Sequence, residues 1–195
     1  MSDAYEQVEV SSAEELRSWL RDNWDRSPGI WLVTYKKAAG EKYLPYDDIV
    51  REVLCYGWID GRARGLDELR SQLLLTPRRP TSKWSRPNKL RVAELEASGR
   101  MAAPGRAVVE AARASGTWTA LDDVEDLVEP AELTAALDAV PESRVNWDTF
   151  PRSTRRATLE WIAAARRPAT RERRVAETVE LAARNLRAQQ WPRPS

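Results

Sequence analysis

The stretch "YGWIDGRARG" (residues 56–65) decides how the first half of this chain is read. Gly57 and Gly61 bracket Trp58, Ile59 and Asp60, and Arg62 and Arg64 follow. Upstream, "DDIVREVLCY" (47–56) puts Ile49, Val50, Val53 and Leu54 on one helical face, with Asp47 placed to cap the helix. Gly57 then suits the left-handed position that closes a helix. "WIDGRARG" (58–65) reads as a strand and "QLLLTPRR" (72–79) as a second, joined by the polar "LDELRS". Side chains alternate across a strand, so Trp58, Asp60, Arg62 and Arg64 are expected on one face. Ile59, Gly61, Ala63 and Gly65 form the other. The same parity groups Gln72, Leu74, Thr76 and Arg78. Aspartate is a poor strand former, and a half-buried one needs donors, for which Arg78 or a backbone N–H is the candidate.

Outward from this point, "SAEELRSWLRDNW" (12–24) has Ser12 and Glu15 at capping-box spacing. "IWLVTYKK" (30–37) is β-branched and aromatic, a third strand. From Ser85 onward only helices are expected: 87–98, 105–115, 130–140, 152–167 and 170–188, separated by Gly or Pro. In the last, Val175, Val179, Ala182 and Leu186 are spaced four, three, four. The acidic "TWTALDDVEDLVE" (117–129) reads as a connection, and "QQWPRPS" (189–195) as a loose end. The expected class is α+β. A small antiparallel sheet of about three strands packs with helices in 1–116, the connection spans 117–129, and an all-helical extension (130–195) docks on the first domain.

Composition narrows the chemistry. The 195 residues are 42% apolar with net charge +1, which suits globular folding and supplies no global field toward nucleic acid or anionic membrane. There is no histidine, so Ser-His-Asp and Cys-His triads and His-ligated zinc are excluded. Cys55 is the only cysteine, so no intrachain disulfide forms. No run approaches the ~18 apolar residues of a membrane span, and the acidic N-terminus has no apolar signal core; a soluble cytoplasmic protein is expected. No metal site and no cofactor is expected, "DDVED" being an ordinary acidic loop.

The second informative stretch is "TPRRPTSKWSRPNKLR" (76–91), with Arg78, Arg79, Lys83, Arg86, Lys89 and Arg91 and no acid. Thr76, Ser82, Trp84 and Asn88 are interleaved, and three prolines stiffen the path. Several donors near a helix start suit an anion, and an indole can stack on a planar group or hold an arginine. The plainer reading is a solvated connection whose Trp84 plugs the core and whose Asn88 caps the next helix. No Gly-rich phosphate cradle exists.

Three blocks in order, "VLCYGWIDG" (53–61), "TPRRPTSKWSRPN" (76–88) and "WIAAARRPATRERR" (161–174), resemble the bacterial YdeI/OmpD-associated (OmdA) family. The resemblance runs from about Ser12 to Arg184. It implies a bacteriocin-protection or stress-resistance role and an N-terminal part of the small YjbR/CyaY-like α+β type. It supplies no catalytic residues. Relatives often carry lysine where this chain has Arg166.

Two functions follow as expectations. One is a protective protein binding a small anionic or aromatic molecule with Trp58, Asp60, Arg62, Thr76, Arg78, Arg79, Ser82, Trp84 and Asn88, with Trp118 and Trp147 as further candidate walls. The other is a cofactor-independent enzyme with Asp60 as base, Tyr56 as acid and Arg78 or Arg79 as oxyanion or carboxylate clamp. Arg171, Arg174 and Thr178 fall at helical spacing and are expected to project together, but nucleic-acid binding through them carries less weight, because the acidic zone from Asp122 to Asp148 can neutralise the arginines. Oligomeric state is not encoded in these patterns.

Overall fold

A computed structural model describes residues 5–188; the expected loose end at 189–195 lies outside them. The chain divides into two compact units, 1–120 and 121–195.

The first unit is built on a four-stranded sheet of order β1-β2-β4-β3. The strands are β1 (Glu6–Glu9), β2 (Ile30–Tyr35), β3 (Trp58–Gly65) and β4 (Arg70–Pro77). The expected sheet of about three antiparallel strands is therefore corrected. β1 adds a fourth, pairing parallel with β2 through Val8 and Leu32, while β2–β4 and β3–β4 are antiparallel. "EQVE" has one apolar residue and no alternation to read; the neighbouring edge of β2 makes it a strand. Helix α1 (Ala13–Asn23) joins the parallel pair. Ser12 is its N-cap and accepts from the Glu15 amide at 3.2 Å, while Glu15 accepts from the Ser11 amide at 2.8 Å. The box is thus displaced by one residue on its return bond.

Helix α2 (Tyr46–Cys55) buries Ile49, Val50, Val53 and Leu54, the face expected from its periodicity. Its N-cap is Pro45 rather than Asp47, which instead accepts from Arg51 and Arg91 at 2.6 and 2.8 Å. Gly57 closes the helix at φ +74°. Helices α3 (Arg86–Ala97) and α4 (Ala103–Ser115) follow. The start of α4 lies against the end of α2. The Ala102 amide donates to the Cys55 carbonyl at 3.2 Å, and a Cβ on Gly105 would lie 2.2 Å from that oxygen. One core joins Leu16, Leu20, Ile30, Leu32, Val53, Leu54, Trp58, Leu75, Trp84 and Val109. Within it, Glu52 is 2% exposed and bridges Arg17 and Arg100. A buried carboxylate demands such partners.

The second unit is helical: α5 (Asp122–Glu125), α6 (Ala131–Asp138), α7 (Pro141–Thr149), α8 (Arg152–Ala163) and α9 (Pro168–Ala183). α5 and α7 were not expected. "PESRVNWDT" has no apolar stripe; Trp147, 1% exposed, anchors it together with fully buried Ser143, which donates to the Leu137 and Val140 carbonyls. The segment 117–129 is not a bare connection, since Trp118 packs on the first core and Val124 and Leu127 belong to the second. α9 ends at Ala183 rather than running to 188, with Asn185 left-handed at φ +55°. The core is Leu133, Leu137, Trp147, Phe150, Leu159, Ile162, Val175 and Ala182.

Candidate functional site

The register of β3 against β4 redraws the face expected around Asp60. Asp60 pairs with Leu75 and Ala63 with Leu73, so Gly61 and Arg62 together oppose Leu74. This β-bulge inserts one residue, and side-chain parity inverts beyond it. Trp58 and Asp60 point to the helix-covered face with Leu75. Arg62 and Arg64 go to the opposite face, over the Trp31 ring at 5.3 and 3.9 Å. The four residues do not share a surface.

Asp60 accepts from the Tyr46 hydroxyl at 2.6 Å. Burial, then this bond, pushes the Tyr46 phenol up to about 12. Tyr46 was not anticipated, and Tyr56, the expected acid, is elsewhere: it is buried, with the Arg17 guanidinium 5.7 Å from its ring centroid. Trp58 is a core residue. Its indole N–H donates to the Trp24 carbonyl at 3.1 Å, and its ring meets Trp19 edge-on. Trp147 lies in the second core. Thr76 pairs with Ile59 on the outer face. Asn88 does not cap α3, whose N-cap is Ser85; its side chain accepts from Arg91 at 2.9 Å. Cys55 is fully buried, and burial raises its thiol above the ordinary range.

The basic loop lines a cavity. Between β4 and α3, Arg78, Arg79, Pro80, Ser82 and Trp84 form one wall of a cavity of about 250 Å³. Val108, Ala111, Ala112, Ser115 and Thr117 form the other. Prolines at 77, 80 and 87 and a turn closed by the Ser82 amide on the Arg79 carbonyl at 2.9 Å hold the loop. α4 is fixed by the Gly105 contact, which sets the opposite wall.

Arg78 is the unusual residue here. Its side chain leaves only 8% of the residue exposed. Nη1 donates to the Lys83 carbonyl at 3.1 Å, and the guanidinium lies 3.7 Å from the Trp84 ring centroid. Nε and Nη2 are buried and have no hydrogen-bond partner. Burial lowers its pKa to about 10, while the Asp60 carboxylate pulls the other way without bonding to it. Buried N–H groups without partners cost about 1–3 kcal/mol each and more on a cation, so a protein retains them for a reason. Trp84 is 1% exposed, its ring taken by Arg78 and by Trp118 at 4.9 Å, so it supports the guanidinium rather than offering a stacking platform. Of the expected site residues, the structure gathers Arg78, Arg79, Ser82 and Trp84, with Asp60 acting on Arg78 through its field. Residues 108, 111, 112 and 115 were missed. Their three-four-seven spacing of small side chains marks one helix face, but nothing in the sequence aims it at the loop.

In the helical unit, Arg171 is bonded to Glu132, and Arg174 to the Trp161 carbonyl with its guanidinium 4.9 Å from that ring. Thr178 is buried and donates to the Arg174 carbonyl. The three do not project together. Among the described residues, no group of three or more Cys, Asp or Glu side chains is gathered to hold a metal ion, and no helix is long and apolar enough to cross a membrane.

Fold and cavity define a two-unit protein, an α+β unit carrying a small buried-arginine cavity and an all-helical unit. Residues 8–108 match the family described as a domain of unknown function (DUF8412), and with just over half of its length in that match the chain belongs to this family. Residues 126–185 match the family described as "Bacteriocin-protection, YdeI or OmpD-Associated". The OmdA likeness expected over most of the chain is thereby confined to the helical unit; the "VLCYGWIDG" and "TPRRPTSKWSRPN" blocks lie in the other match. A YjbR/CyaY likeness receives no support. No curated protein and no solved structure matches the chain.

Proposed function

We propose that the protein binds a small anionic molecule in the cavity between the β4–α3 loop and α4, in a protective role of the bacteriocin- or stress-resistance kind. The observation that supports this best is the two unpartnered nitrogens, Nε and Nη2, of buried Arg78. An anion compensates both the missing bonds and the charge. The protective setting is supported by the OmdA match of the helical unit alone. At about 250 Å³ the cavity falls below the roughly 300–1,000 Å³ of drug-sized sites, so the ligand is small.

Acid–base catalysis has less support. Asp60 does not line the cavity, and its partner Tyr46 keeps its proton at neutral pH. Calorimetric titration against a panel of small anions tests the binding reading. Saturable binding in wild type that disappears in Ala111→Leu, which fills the cavity from its exposed rim, is expected. Identical behaviour of the two proteins sinks it. The protective role is tested separately, by the survival of a sensitive bacterium expressing the chain under bacteriocin challenge; no gain over an empty vector removes it.

A further inference from the structure

We infer that the cavity takes a monocarboxylate with a compact apolar body, gripped along one edge of the Arg78 guanidinium. The inference rests on the cavity being the binding site. Nη1 donates to the Lys83 carbonyl, whereas Nε and Nη2 have no partner at all. These two lie on the same edge of the planar group, and their parallel N–H bonds match the two oxygens of a carboxylate. A lysine ammonium offers no such edge.

Charge selects a monoanion. The buried cation at the cavity is Arg78, whereas Arg79 is exposed and screened by water. A dianionic phosphate brought to one buried positive charge keeps an uncompensated negative charge in a poorly solvated place. A single carboxylate is neutralised. The rest of the cavity selects the body. Val108, Ala111, Ala112 and Pro80 are apolar, and Ser115 and Thr117 are bonded to each other at 3.0 Å and to the Ala112 carbonyl. They offer contact rather than a second strong polar anchor. With the Trp84 ring already covered, ring stacking is not part of recognition.

The test is calorimetric titration of the full chain with three ligands of one shape: cyclohexanecarboxylate, its neutral carboxamide and cyclohexylphosphonate as the dianion. The carboxylate binds, and the carboxamide and phosphonate each bind at least about tenfold more weakly, the loss of one charged hydrogen bond or its equivalent. In Arg78→Lys the carboxylate weakens by about ten- to a hundredfold while the carboxamide is little changed. A carboxamide or phosphonate that binds as tightly as the carboxylate overturns the inference and leaves the cavity reading standing. Unchanged carboxylate affinity in Arg78→Lys also overturns it. Absence of binding by all three probes overturns both. Should Arg78→Lys fail to give the wild-type circular dichroism spectrum, Ala111→Leu carries the test: retained carboxylate binding there places the ligand elsewhere and overturns the inference.

Discussion

Arg78 sits in an environment that penalises its charge, and the balance of terms is testable. Its stack on Trp84 contributes about 2 kcal/mol where desolvated, and its bond to the Lys83 carbonyl about 1.5–3. Against these stands an effective desolvation penalty of several kcal/mol for a buried ion. The two sides nearly cancel. Arg78→Met is therefore expected to leave ligand-free stability within about 1 kcal/mol of wild type in urea denaturation, while anion binding is lost. A loss above about 3 kcal/mol identifies Arg78 as structural instead. The same environment fixes a pH dependence. The folded-state pKa, about 10, lies below the ordinary 12.5, so the penalty on the folded state is fully present below about 10 and is relieved as pH rises toward 12.5. Anion binding needs the charged form. Affinity is expected to be flat through neutral pH and to fall as pH rises through about 10, read by titration at successive pH values. That the loop carrying Arg78, Arg79, Ser82 and Trp84 is the segment to examine was legible from its cluster of donors. That Lys83, Trp84 and Trp118 consume one nitrogen and the indole faces was not, because those contacts depend on the path of the loop.

Helix α4 sets the cavity, and one glycine sets α4. Its approach to the end of α2 leaves no room for a side chain at 105: the obstacle is the backbone carbonyl of Cys55, which cannot rotate away. Gly105→Ala gains about 1 kcal/mol of helix propensity but must part the two helices, an overpacking cost of about 1–3 kcal/mol or more. Net destabilisation in chemical denaturation is expected, together with loss of anion binding as the far wall shifts. The bulge at Gly61–Arg62 is the other element-level device. It lets one strand turn Trp58 and Asp60 inward and Arg62 and Arg64 outward. Strict alternation put all four on one face, and the error has a physical origin. A bulge is settled by which residues the partner strand can bury, and Leu73 and Leu75 both face the core.

At the scale of the molecule, two units each close their own core, and each satisfies a carboxylate with internal donors: buried Glu52 with Arg17 and Arg100, half-buried Glu129 with Arg144 and Trp147. In the helical unit, burial alone would raise the Glu129 carboxyl, but bonds from Arg144 at 2.9 Å and the Trp147 indole at 2.7 Å outweigh it and hold it below its ordinary range. Its contribution is present above the ordinary value of 4.5 and is lost as pH falls through the lowered folded value. Glu129→Gln is expected to cost this unit about 1–2 kcal/mol at neutral pH. The difference from wild type shrinks in strong acid, where both carry a neutral side chain. Urea denaturation at neutral and acid pH measures it; a difference that grows in acid contradicts the assignment.

By itself the sequence determined that the fold is α+β with a helical C-terminal half. Period-two and period-3.6 patterns in 30–35, 49–54 and 175–182 are local consequences of which side chains can be buried. It also determined where α2 stops, because Gly57 alone among its neighbours takes positive φ without strain, and it pointed to the basic loop at 76–91. Tertiary structure decided the rest. β1 exists because β2 presents a free edge, and α7 because Trp147 finds a core. The cavity exists because α4, two helices further along the chain than α2, is brought against the loop by a contact of van der Waals size. Local pattern records the environment a residue needs; it does not record which distant segment supplies it.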